Sequence, residues 1–359
     1  FFIIMLLTFY AVFSKNDLTQ IITSLRKLNP FYFICASFSA VFFVCMEGFM
    51  IWFLLKACLE TNRSHSSTHV QPTGNQVSLF RCFSYSFIGF FFSGITPSAT
   101  GGQPAQLIAM KKDNIPLGSG SLVLMVVAVF YKLILVIIGA VILLFWKEEL
   151  AGHFGNYLML FYLGILLNAF LVFFLLLVMF HGKWMERLFV YVEKFCEKIH
   201  ICKPSSKRKE AFHHLISDYE ETLQFLISHP AKILITAICT LLQRSSLFLL
   251  TSFIYQGFGL SGHGTLLIMA LQASVYISVD MLPLPGSQGI SELVYASVFA
   301  SVFTETYLAS SMCVTRGLSF YFLLILGSVI SLFYSRGQRA KWLLADIWRL
   351  PPHSFNSDR

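Results

Sequence analysis

The sequence predicts an all-α polytopic membrane protein of about seven to nine helices. Three observations carry that prediction. Of its 359 residues, 56% are hydrophobic and only 12% are charged, against roughly a quarter charged in a soluble domain. Apolar runs recur from one end to the other, near the roughly 20 residues needed to cross a hydrocarbon layer of about 30 Å. The polar sequence left between them is too short for a sizeable aqueous domain. A soluble globular fold is excluded.

In chain order, the opening run Phe1 to Phe13 is too short to span and reads as the end of a first helix whose start is missing. It matches a signal peptide's apolar core in length alone, since neither a basic stretch nor a small-residue cleavage site flanks it. Helices are expected over Phe31 to Cys58, Val77 to Gly94, Ser119 to Trp146, Asn156 to Phe180, Ala231 to Tyr255, Thr265 to Leu282, Gly289 to Phe303 and Tyr307 to Tyr334. A Ser/Thr/His-rich loop, Glu60 to Gln76, separates the first two. Residues 1–340 form the membrane domain and 341–359 a tail.

Lys and Arg number 26 against 18 Asp and Glu, a net charge of +8, which in a membrane protein marks cytoplasmic loops rather than nucleic acid binding. The loop 181–230 carries Lys183, Arg187, Lys194, Lys198, Lys203, Lys207, Arg208 and Lys209, whereas Gln256 to Gly264 carries none. The long loop and the tail, with Arg336, Arg339 and Lys341, are therefore placed in the cytoplasm. Charge leaves the N-terminal third unassigned, because Lys15, Arg26 and Lys27 balance Lys56, Arg63 and Arg81. Within the long loop, Trp184, Leu188, Val192, Phe195 and Ile199, then Phe212, Leu215, Ile216, Tyr219 and Leu223, recur at helical spacing. That pattern fits a hairpin packed on the bundle and equally a basic interfacial helix on anionic lipid. The eight cysteines show no zinc spacing and read as small hydrophobes.

Two stretches break the helical pattern. One runs from Gly94 through Thr96, Pro97, Gly101, Gly102 and Gln103 to Pro104; the other runs from Leu282 through Pro283, Pro285, Gly286, Gln288 and Gly289 to Glu292. Proline removes a backbone donor and glycine admits positive φ, so neither continues as regular helix. Unwound backbone in hydrocarbon survives only where protein or a water-filled cavity satisfies it; the other reading is a pair of surface turns. The first break carries no charge and the second none before Glu292. Each is followed by a short helix, Ala105 to Asn114 and Gly289 to Phe303, and they occupy corresponding halves of the chain. These features point to re-entrant hairpins related as an inverted repeat, with a site where they meet.

Six charges fall within apolar runs: Glu47, Lys132, Arg244, Asp280, Glu292 and Arg316. Each costs on the order of 3 kcal/mol at the bilayer centre and is expected to face inward. Internal ion pairs would explain them; so would cations meeting an anionic substrate. Asp280 and Glu292 flank the second break and are candidates for a proton- or cation-coupled step, or partners for Arg244 and Arg316. At the first break, hydroxyls and amides combine with a helix N-terminus near Gly102, a pattern that favours phosphate or carboxylate.

Gly94-Ile95-Thr96-Pro97 with Gly101-Gly102-Gln103-Pro104, and Leu282-Pro283-Leu284-Pro285-Gly286 with Gly289 and Glu292, resemble the lysylphosphatidylglycerol synthase transmembrane family, the flippase-like region of the bacterial multiple peptide resistance factor. The resemblance extends over about residues 1–340, and Arg244 and Arg316 sit where the family tends to carry arginines. It implies a multi-pass inner-membrane protein that handles a phospholipid such as lysylphosphatidylglycerol. Gln103-Pro104 departs from the family, where many members carry an acidic and a basic residue. The full-length proteins add a soluble aminoacyl-transfer domain that this stretch lacks, so translocation is expected. A phosphatidylglycerol lysyltransferase or the partner of a separate lipid synthase is the alternative, and a non-transporting scaffold is another.

No cofactor, metal or nucleic acid is expected. Ser261-Gly262-His263 and Ser335-Arg336 with Asp346 are similar to lipid phosphatase motifs, but Trp342 stands where the nucleophilic histidine is needed. His65 and His69 lack the glutamate of a zinc helix.

Overall fold

The computed structural model describes residues 18–65, 77–180 and 219–348, which are helical apart from short connections. Among the described residues five helices are long and apolar enough to cross a membrane: Pro30–Leu59, Leu117–Phe145, Leu158–Phe180, Pro230–Gly257 and Glu305–Ser335. The protein is an all-α, multi-pass membrane protein. The opening apolar run, the basic half of the long loop and the end of the tail lie outside the described residues.

A short helix, α1 (Leu18–Arg26), leads into α2 (Pro30–His65), whose first residue is a proline with no donor to lose at that position. The expected end at Cys58 is exceeded: α2 continues to His65. It lies against α8 (Pro230–Gly257). Asn29 donates its N–H to the Gly257 carbonyl (2.9 Å), the Gln243 amide donates to the Phe43 carbonyl (3.0 Å), and Thr240 reaches the Met50 sulfur (3.2 Å). Numbers rise on one helix as they fall on the other, so the pair is antiparallel.

The first break is the tip of a hairpin. Helix α3 (Leu79–Ile95) ends at Thr96, a single tight turn spans Pro97–Ala99, and α4 (Gly102–Lys112) returns along α3. At about 1.5 Å per residue the two arms measure roughly 25 and 16 Å, each shorter than the hydrocarbon layer. Gly102 makes the close return possible: a Cβ there would stand 2.8 Å from the Gly89 carbonyl and 2.0 Å from the Ser93 hydroxyl. At the open end, Tyr85 and Tyr334 both donate to Asp113 (2.6 and 3.0 Å).

The chain then runs through α5 (Leu117–Phe145), a surface helix α6 (Lys147–Phe154) that periodicity missed, and α7 (Leu158–Phe180). The helical stretch 219–228, the C-terminal end of the amphipathic loop, packs on the bundle. Tyr219 is buried against Met125 and Met179, and the Thr222 and Ser119 hydroxyls are bonded at 3.2 Å.

The second break also joins two helices through a tight turn. Helix α9 (Thr265–Val279) leads to a turn at Pro285–Ser287, and α10 (Ile290–Val298) leaves it. The sequence expectation of a helix to Phe303 is too long, because Phe299–Phe303 closes in successive turns after α10 ends. The last run is α11 (Glu305–Arg316), a wide π-turn at Gly317–Phe322, and α12 (Leu323–Trp348), which continues past residue 340 without a break. The apolar core has two parts, one gathered on the second half of α2, α3, α4 and the start of α5, the other mainly on α8, α9 and α10.

Candidate functional site

The two hairpin tips meet at one side chain. Phe320, in the π-turn, lies between them: a Cβ on Gly94 would sit 3.4 Å from its ring, and one on Gly286 would sit 2.3 Å from its ring. Gly286 also holds φ +59°, so its lack of a side chain is required twice over. Beside this junction opens a cavity of about 490 Å³ bounded by both tips and by α5, α9 and the π-turn. That volume falls in the roughly 300–1,000 Å³ range of small-molecule sites.

Several of the sequence candidates reach the cavity. Gly102, Gln103 and Gly286 contribute from the tips, and Glu47, Lys132, Asp280 and Arg316 contribute charge. The remaining candidates in the breaks shape the turns behind it. The Thr96 hydroxyl donates to the Phe92 carbonyl (2.7 Å) and accepts from Gly101 N–H (2.9 Å), closing the first turn around Pro97. Pro104 fills a first-turn position of α4 that has no use for a donor. Gly102 and Gln103 keep N–H groups without intrahelical acceptors, and both border the cavity. At the second break Pro283 and Pro285 set the turn, and Gln288 is buried with its amide unpartnered among the described residues.

The carboxylate of Glu292 turns back on its own helix. It accepts from Gly289 N–H (2.7 Å) and the Ser291 hydroxyl (2.8 Å), capping α10, and from Arg316 Nε (2.9 Å). The same arginine donates from Nη2 to the Gly286 carbonyl (2.8 Å). Glu292 and Arg316 therefore form the ion pair that was one of the two expectations for them.

Asp280 pairs with Lys132 rather than with an arginine, because α5 and α9 lie side by side here and Lys132 is the nearer cation. Glu47 accepts from the Gln106 amide (2.6 Å), which ties α2 to the first hairpin. Arg244 does not reach the cavity surface. It is fully buried behind Tyr131, whose ring centroid lies 3.0 Å from the guanidinium carbon.

Sequence reasoning missed Tyr131, Tyr276, Gln106 and Phe320. The two tyrosine hydroxyls are bonded at 2.6 Å across α5 and α9. The available signal was a polar group inside an apolar run, at Gln106 and next to Lys132. Phe320, one of 38 phenylalanines, gave none.

The match to a family model describing the lysylphosphatidylglycerol synthase TM region covers residues 1–327. The chain belongs to that family. The chain is similar to a UPF0104 membrane protein of Pyrococcus horikoshii, 27% identical over 74% of this chain and 80% of the relative. It is also similar to a UPF0104 membrane protein of Archaeoglobus fulgidus, 23% identical over 73% and 78%. No solved structure matches the chain. Family membership ties the protein to membranes and phospholipids; the cavity chemistry suits an amphiphile. Lys132 and Arg316, each paired with a carboxylate, supply charged groups, while Val127, Leu171 and Leu175 supply an apolar wall.

Proposed function

We propose that this protein carries an anionic or aminoacylated phospholipid between leaflets by alternating access at the cavity between the two hairpins. One observation carries the reading: irregular backbone from opposite halves of the chain meets tip to tip beside a cavity lined with both charged and apolar groups. If both hairpins are re-entrant, tips that meet place their open ends on opposite faces. Lys111 and Lys112 mark the first as cytoplasmic, and the second opens outside between Gly264 and Thr304. Such an inverted pair can rock about a fixed site. A diacyl lipid is larger than the cavity, so the headgroup enters and the chains stay in the bilayer, against the exposed apolar side chains of α7 such as Phe170 and Phe173.

Reconstitution in liposomes tests this. Labelled phosphatidylglycerol and lysylphosphatidylglycerol should cross the bilayer with the wild-type chain and slow at least 10-fold with Gly102→Leu. Covalently modified lipid without movement would support a lysyltransferase, and neither result would leave a scaffold or the partner of a separate synthase. In either of those outcomes the proposal fails.

A further inference from the structure

Arg244 is fully buried on α8, and among the described residues none of its three guanidinium nitrogens has a hydrogen-bond partner. Its two cationic neighbours around the cavity are engaged, Lys132 by Asp280 and Arg316 by Glu292. Three rings surround it, with centroids 3.0 Å (Tyr131), 5.2 Å (Tyr276) and 5.3 Å (Phe43) from its central carbon. The ring faces attract the cation but give its in-plane N–H groups no acceptor. The Tyr276 hydroxyl lies beside the guanidinium without a hydrogen bond of good geometry. Asp280 and Glu47 are the carboxylates that face it, and both are held elsewhere, by Lys132 and by Gln106.

Tyr131 and Tyr276 also line the cavity, and their hydroxyls are bonded to each other. A wall one ring thick thus separates the cavity from a fork of unused donors. We propose that Arg244 is a latent seat for a phosphate oxyanion, exposed when Tyr131 and Tyr276 part. The exchange is favourable in kind: one neutral hydroxyl contact gives way to charge-assisted, bidentate bonds between guanidinium and phosphate. This deepens the translocase reading and rests on it for the source of the phosphate, a glycerophospholipid headgroup entering from the cavity.

The test is binding to the purified full chain in detergent, by calorimetry, with dihexanoylphosphatidylglycerol, phosphate-free dihexanoylglycerol and inorganic phosphate as probes. The wild type should favour the phosphate-bearing lipid over dihexanoylglycerol by 10-fold or more, on the order of the gain from one charged bidentate contact. Arg244→Gln should abolish that preference while leaving the ligand-free unfolding midpoint unchanged or higher, since it removes an unpartnered charge. A purely structural arginine would lower the midpoint instead. Tyr276→Phe, which removes the hydroxyl contact, should tighten phosphate-lipid binding several-fold, and it serves where Arg244→Gln fails to fold. Preference retained in Arg244→Gln, or unchanged affinity in Tyr276→Phe, overturns the proposal. Inorganic phosphate binding as tightly as the lipid overturns the headgroup as its source. Arg244-dependent binding in a protein that moves no lipid would sink the translocase reading and leave this site standing.

Discussion

Arg316 and Glu292 are joined at 2.9 Å, and the same guanidinium reaches the Gly286 carbonyl at 2.8 Å, so one cation holds both the helix after the second break and the turn before it. Breaking such a largely buried pair leaves a carboxylate without its counter-charge. Arg316→Met should destabilise the protein by about 3–5 kcal/mol, and Glu292→Gln/Arg316→Met together should cost clearly less than the sum of the two single changes. Denaturant titration in detergent measures both.

Gly286→Ala should inhibit lipid movement more strongly than it lowers stability. The new methyl group meets Phe320 at 2.3 Å and sits at φ +59°, a strain of roughly 1–3 kcal/mol. Phe320→Leu in the same chain should restore part of the activity by opening space. Rescue absent in a folded double variant would show that Phe320 does not couple the two turns.

Access from the two faces can be read by cysteine labelling in a background with all eight native cysteines replaced. Lys112→Cys and His263→Cys should react with an impermeant reagent from opposite sides. Ser287→Cys, at the second tip, should be refractory to bulky reagents from either side. Labelling of positions 112 and 263 from one face would rule out an inverted pair of hairpins.

One titratable link lies outside the spans. His153 on α6 shares a hydrogen bond with the Ser301 hydroxyl (2.7 Å), and burial holds its pKa below the usual histidine range despite a bond to the Val298 backbone. A histidine lowered in the folded state contributes stability that is present above the unfolded value of about 6.5 and is lost as pH falls through the folded one. His153→Gln should therefore flatten the decline of the thermal midpoint on acidification below about pH 6.5.

The helices were legible in the sequence because the bilayer fixes their length and polarity, and the two breaks because proline and glycine state their backbone geometry locally. Boundaries were less so. The pattern alone could not show that α10 stops at Val298 or that α2 runs on to His65, since the apolar run outlasts α10 and ends before α2 does. Pairing was the least legible. Lys132 and Asp280 lie 148 positions apart, and only the side-by-side course of α5 and α9 makes them partners. Tyr131 and Tyr276 were hidden for the same reason, each being an ordinary aromatic residue until the other is placed beside it.

Because the Phe320 ring fills the space that a side chain at position 286 would need, these two positions share a single steric allowance. Among kindred chains, loss of the glycine at 286 should accompany a smaller residue in the ring's place. Drift in the second turn is thereby constrained from the last helical run, a separate stretch of the chain.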